Sequence, residues 1–274
     1  MCNFTEAINF MFKTSMTATG KFLSCCLANL LFIYCAPAQS KPDPKFELYI
    51  LMGQSNMAGR GLATDELKME GNDSLFSLNK EKKWVVARHP LHFDKPAIAG
   101  VGPGLAFGIE MVKAKPGVRI GLIPCAVGGT PIEHWLPGAY DSATKTHPYD
   151  DAVERILFAM QRGVIKGVIW HQGEANSEPE AAKKYPAELA ELIARVRVLV
   201  GDPQLPFVAG ELGRFLKTSE NINAQLALLP GQIPQTAVAS SEGLIDKGDQ
   251  LHFDSPSATE LGKRYAAKMI ALQK

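Results

Sequence analysis

The sequence predicts an α/β fold: a parallel sheet of about five strands with helices packed on both faces. Three observations carry that expectation. Apolar runs of strand length alternate with helical segments along almost the whole chain. The strand runs are apolar at nearly every position, as strands covered on both sides are. Three of them end in polar, glycine-containing motifs, and an open parallel sheet binds its ligands at the carboxyl ends of its strands. With 274 residues and 46% apolar content, the chain can form one full-sized core. No internal repeat or second domain is visible.

Residues 1–38 differ from the rest. Lys13 and Lys21 precede the apolar run 22–38, which closes with Ala36-Pro37-Ala38. This small-x-small ending reads as a secretory signal peptide cut after Ala38. The competing reading is an uncleaved membrane anchor, for which the run is short. Four of the five cysteines (Cys2, Cys25, Cys26 and Cys35) lie in this segment, so Cys125 alone would remain and no internal disulfide is expected. Cleavage also removes Lys13, Lys21 and Glu6, taking 29 basic and 28 acidic residues to 27 of each. A neutral chain suits neutral or weakly charged substrates better than nucleic acid.

Residues 39–45 form a polar, proline-containing lead-in, and the domain proper is expected over 46–274. Phe46 to Met52 reads as a buried strand, and Gly53 permits a sharp exit from it. Residues 60–102 show turn residues and little periodicity, so a long loop with small embedded elements is expected. Pro103 to Lys113 reads as a helix with proline at its start. Val118 to Val127 is a second strand, Tyr149 to Gln161 a helix and Val164 to Trp170 a third strand. Ser177 and Glu180 resemble a capping box opening a helix that bends or restarts at Pro186. Two short strands are expected at 206–210 and 236–240, with a helix near 221–229 between them. The last helix begins at Ser255-Pro256-Ser257, with Glu260 completing a capping box on Ser257.

The chemistry gathers at the strand ends. Ser55 follows the first strand, and a hydroxyl there is a candidate nucleophile if a base removes its proton. Gly128-Gly129-Thr130 follows the second strand, and His171-Gln172-Gly173-Glu174 the third. Near the end of the chain, Asp249 and His252 are three residues apart. On one helical turn that spacing lets the carboxylate reach the imidazole nitrogen turned away from serine. A tetrahedral intermediate also needs hydrogen-bond donors for its oxyanion. Candidates are the Ser55 N–H, an N–H of Gly128-Gly129 and the Gln172 side chain. Gln54, Asn56, His92 and Glu174 are candidate substrate-binding residues, with loop bracing as the alternative for Glu174.

Four blocks resemble the signature motifs of the SGNH (GDSL-like) hydrolases: Gly53-Gln54-Ser55-Asn56-Met57-Ala58-Gly59, residues 124–130, Trp170-His171-Gln172-Gly173-Glu174, and Asp249-Gln250-Leu251-His252-Phe253. Within that superfamily they look like the sialate O-acetylesterase and acetylxylan esterase branch, carbohydrate esterase family 6. The resemblance runs from Phe46 to the last helix. It implies a three-layer, flavodoxin-like sandwich, metal-independent ester hydrolysis without a cofactor, and a triad of Ser55, Asp249 and His252. It also implies oxyanion donors at Ser55, Gly129 and Gln172. The expected protein is a secreted or periplasmic acetylesterase acting on an acetylated carbohydrate, with no nucleic-acid partner and no stable membrane association after cleavage. A general short-chain or lipid esterase and a non-catalytic carbohydrate binder are the alternatives.

Other chemistries fit less well. The nucleophile elbow of α/β-hydrolases needs glycine where Met57 stands. Gly100-Val101-Gly102-Pro103-Gly104 follows no strand and misses the dinucleotide spacing. His89, His92, His134 and His171 lack metal-ligand spacing. Cys125 reads as a packing residue, and Trp135 as either a sugar platform or core.

Overall fold

A computed structural model describes residues 41–69 and 71–274. The signal segment read at 1–38 therefore lies outside the described residues. Among those described, no helix is long and apolar enough to cross a membrane.

The centre of the fold is β1 (Asp43–Gly53), which starts inside the expected lead-in. It lies between β4 (Arg119–Pro124) and β5 (Gly163–His171), parallel to both. Beyond β5 come β6 (Phe207–Gly210) and β7 (Thr236–Ala239), again parallel. On the other side, β4 pairs with β2 (Leu75–Leu78), and the edge strand β3 (Trp84–Val86) runs antiparallel to β2. The order is β3-β2-β4-β1-β5-β6-β7, seven strands where the sequence suggested about five. The two additional strands, of four and three residues, lie in the stretch 60–102 read as loop with small embedded elements.

Side chains of β1 alternate between two cores, which is why nearly every position is apolar. Leu48, Ile50 and Met52 join α4 (Pro148–Met160), α5 (Pro179–Val200) and α6 (Ser219–Gln232) through Ile156, Leu192 and Leu226. Tyr49 and Leu51 face the opposite way, toward α3 (Pro103–Ala114) and α7 (Ser255–Leu272), with Phe107, Leu261 and Tyr265. The result is the expected helix–sheet–helix sandwich. Each fully buried aliphatic side chain in these layers contributes roughly 1.5–3 kcal/mol.

Three local expectations need correction. Pro186 lies inside an unbroken α5, so the helix neither restarts there nor begins with a Ser177 cap; Ser177 Oγ instead donates to the Glu174 carbonyl. The cap of α7 is Asp254, whose carboxylate accepts the Ser257 N–H at 2.8 Å, so the Ser257–Glu260 box does not form. The Asp249–His252 segment is a succession of bends and not a helical turn.

Candidate active site

The carboxyl ends of β1, β4 and β5 meet on one edge of the sheet, where connections depart in opposite directions from β1. Such a switch point is a natural crevice. β1 leaves it abruptly. Gly53 has φ +131°, and a Cβ there would lie 2.0 Å from the His171 carbonyl oxygen. Only glycine allows the strand to end this close to β5. The next residues enter the single-turn helix α1 (Ser55–Ala58). As the first residue of α1, Ser55 has a backbone N–H with no partner inside the helix.

Ser55 Oγ lies 3.0 Å from His252 Nε2, and His252 Nδ1 lies 2.7 Å from Asp249 Oδ2. Asp249 and His252 lie 194 and 197 positions beyond Ser55 in the chain and are brought to it by the fold. The bend that holds the pair is closed by Asp249 itself. Its Oδ1 accepts the backbone N–H of Leu251 at 3.0 Å and of His252 at 2.8 Å. Partial burial raises the Asp249 pKa, but bonds from the His252 backbone, its ring and the Leu251 N–H outweigh this and hold the carboxyl well below the usual range. Burial lowers the His252 pKa, and Asp249 restores only part of it, so the ring is poised neutral. Asp246 has another task. Its Oδ2 accepts the N–H groups of Gly248 and Gln250, shaping the start of the same loop.

Asn56, read from sequence as a substrate contact, is buried and fixes this loop. Its Nδ2 donates to the Leu251 carbonyl at 3.0 Å and to Glu174 Oε1 at 2.6 Å, and its Oδ1 accepts the Phe253 N–H at 3.1 Å. The residue after Ser55 thus grips the backbone on both sides of His252. Glu174 is the support beneath Asn56, which favours bracing over substrate contact. Burial raises its pKa to about 7, against the bond from Asn56. Its neighbour His171, 3.6 Å away, is held neutral by burial, with a pKa of about 3. Tyr265 Oη donates to the Trp170 carbonyl and lies 3.0 Å from His171 Nδ1. That hydroxyl can accept from Nδ1–H, leaving Nε2 without a proton on the Glu174 side.

A proton held more tightly by Glu174 in the folded chain than in the unfolded one makes stability fall as pH rises from the usual carboxylate range through about 7. Glu174→Gln retains an oxygen for Asn56 and removes the titration. Its melting temperature is expected to exceed the parent's at pH 8.5 by roughly 5 °C, with the gap closing by pH 5. Thermal melts at both values check this, and a gap independent of pH would refute it.

The predicted oxyanion donors separate. Gly128 N–H is occupied by Asp94 Oδ2 at 2.8 Å. Gly129 N–H has no acceptor among the described residues, and its φ of +87° turns the peptide as glycine readily permits. Asp94 is itself held by a buried ion pair with Arg60 at 2.7 Å. Burial raises the Asp94 pKa, but the Arg60 guanidinium more than offsets it. No sequence signal pointed to this pair, because Asp94 sits in the unpatterned loop before α3.

Gln172 does not present the free amide assigned to it. It is fully buried, and its Nε2 donates to Asn176 Oδ1 at 2.7 Å and Gln54 Oε1 at 3.1 Å, with the Thr130 carbonyl at 3.3 Å. Asn176 is anchored in turn: its Nδ2 donates to Glu133, and its Oδ1 accepts the Ile132 N–H. The free amide belongs to Gln54. Its Oε1 is fixed by Gln172 and the Ala175 N–H, and its Nε2, on the residue preceding Ser55, has no acceptor among the described residues. His92 was the remaining candidate for a substrate contact. It is buried, bonded to the Leu51 backbone, and burial lowers its pKa to about 4. Cys125 is buried with its thiol pushed up to about 12. Trp135 is core, edge-on to Trp170 at 5.3 Å.

Fold and site together define an α/β protein with a Ser–His–Asp hydrogen-bonded chain at a sheet switch point. The family described as carbohydrate esterase, sialic acid-specific acetylesterase, matches residues 45–271, and the chain belongs to it. A probable carbohydrate esterase of Arabidopsis thaliana is 32% identical over 264 residues, covering 86% of this chain and 96% of the relative. The X-ray structure of an Arabidopsis thaliana protein aligns with TM-score 0.74 at 28% identity, over 84% of this chain and 99% of the other. The crystal structure of NanS aligns with TM-score 0.67 at 16% identity, over 85% and 99%, a likeness of fold.

Proposed function

We propose that the protein is a serine acetylesterase that removes O-acetyl groups from a carbohydrate. The observation that carries this reading is the continuous chain Ser55 Oγ, His252 and Asp249, at 3.0 and 2.7 Å. His252 Nε2 accepts the Ser55 proton as Oγ attacks the acetyl carbonyl carbon. Negative charge collects on the carbonyl oxygen, for which the N–H groups of Ser55 and Gly129 and the Gln54 amide are the donors this reading assigns. When the intermediate collapses, the C–O bond to the sugar breaks and His252 returns the proton to the departing sugar oxygen. Water, deprotonated by the same histidine, then cleaves the acetyl-enzyme to acetate. Asn56 and Glu174 act as positioning residues through the His252 loop.

A serine-directed phosphonate should inactivate acetate release and leave its adduct on Ser55, as read by peptide mapping. Inactivation with the adduct on another residue would sink the assignment. Acetate release from acetylated xylan and from O-acetylated sialic acid by the parent chain then chooses the substrate.

The segment 1–38 is proposed as a cleaved signal that sends the enzyme out of the cytoplasm. N-terminal sequencing of exported protein should begin at Gln39; a membrane-bound product still carrying the leader would favour the anchor instead.

A further inference from the structure

The amino ends of the strands, opposite the Ser55 crevice, carry a second concavity of about 570 Å³. Phe46 on its wall and Gly53 at the crevice are separated by roughly 23 Å of strand, at ~3.3 Å per residue. The volume falls in the range of about 300–1,000 Å³ typical of ligand sites.

Its charge is one-sided. Lys41, Lys82, Lys83, Arg119 and Arg162 line it, with Asp43 as the one acidic lining residue. Asp43 is engaged with Arg119 at 2.8 Å, and Lys82 is paired with Glu154. Lys41, Lys83 and Arg162 are exposed and have no acidic partner among the described residues. Between these cations lies aromatic surface of the half-buried Phe76, Trp84 and Phe158, backed by the buried Phe46. Phe46 and Trp84 pack edge to face at 4.8 Å, Phe76 stands 6.0 Å from Phe46, and Phe158 closes the wall. The Arg119 guanidinium sits 4.9 Å from the Phe46 ring centre.

Converging cations raise a positive potential that a bound anion relieves. An inorganic anion would leave the aromatic surface unused. A sugar ring carrying a carboxylate uses both, setting its C–H face on an aromatic ring and its acid group between cations. A nucleic acid fits poorly, because the basic residues surround a concavity instead of tracking a groove and the whole chain carries a formal charge of only +1.

We propose that this concavity is a second carbohydrate site, which binds acidic oligosaccharide without hydrolysing it and so keeps the enzyme on an acidic glycan. The choice of a sugar rests on the carbohydrate esterase reading above. The probe is trigalacturonic acid, with xylotriose as neutral control and pyrophosphate as simple anion. Binding to the Ser55→Ala chain is followed by intrinsic fluorescence, to which Trp84 contributes from the site while Trp135 and Trp170 are fully buried.

Trigalacturonic acid is expected to bind roughly tenfold more tightly than xylotriose. The Lys83→Ala/Arg162→Ala double variant should lose about tenfold in that affinity. The same double change in the parent should leave hydrolysis of 4-nitrophenyl acetate intact. Unchanged affinity in the double variant overturns the proposal. So does pyrophosphate binding as tightly as the trisaccharide, which would make this a simple anion site. Failure of the esterase reading would appear separately, as no acetate release by the parent chain.

Discussion

Asp249→Asn is expected to lower turnover by about ten-thousandfold, the scale of the wrong-tautomer effect in serine proteases. The reason lies in which atoms of the side chain do what. Oδ1 accepts two backbone N–H groups, from Leu251 and His252, and an asparagine oxygen can keep both bonds. The loop therefore holds. Oδ2 accepts from His252 Nδ1 at 2.7 Å, and the asparagine amide would place an N–H donor there. The ring answers by moving its proton to Nε2, which then points an N–H at Ser55 Oγ and cannot accept from it. Asp246→Asn should stay within about tenfold of the parent, because its carboxylate serves only as an acceptor for Gly248 and Gln250, and an amide oxygen does the same. Steady-state turnover on 4-nitrophenyl acetate for both variants decides. A large loss at Asp246 with little at Asp249 would reverse the assignment. A loss at Asp249 accompanied by a lowered melting temperature would mean the loop, and not the tautomer, was damaged.

What could be read from the sequence follows physical range. Strand runs such as Phe46 to Met52 announce themselves because burial on both faces demands an apolar residue at every step. The Asp249–His252 spacing is legible because three residues fix a local geometry, even though the backbone forms bends there and not a helical turn. β2 and β3 are invisible because their pairing energy comes from neighbours outside their few residues. Pro186 misleads because tertiary packing carries α5 through a residue that locally disfavours it. The amides are the hardest. Gln54 and Gln172 are chemically identical side chains at two strand ends, and nothing within either motif says which amide stays unpaired. That choice is made by Asn176, Glu133 and the Thr130 carbonyl, residues that sequence reading gave no role. Asp94 gives no signal, and Asn56 reads as a substrate contact, on the same ground: their partners, Gly128 and the backbone around His252, are distant in the chain.

Gln54→Glu is expected to lower turnover by roughly 100- to 1,000-fold, the loss typical of one oxyanion donor. The substitution keeps length and planarity, and a glutamate oxygen can still accept from Gln172 and Ala175 as Gln54 Oε1 does. What disappears is the Nε2 donor on the residue preceding Ser55, replaced by an acceptor that repels the developing negative charge. A donor needed only as that charge grows affects turnover more than the Michaelis constant. Gln172 acts one layer back, by holding Gln54 in its orientation. Gln172→Ala should therefore lower turnover less, by about tenfold, and should add almost nothing once Gln54 is already alanine. Labelling of Ser55 by a phosphonate, followed by peptide mapping, establishes that each variant retains its nucleophile. Turnover measured across the double-mutant cycle then separates the two glutamines. If Gln172→Ala alone removes the full 100- to 1,000-fold while Gln54→Ala is mild, the donor is Gln172 after all, and its amide must turn from Asn176 toward the crevice when substrate binds.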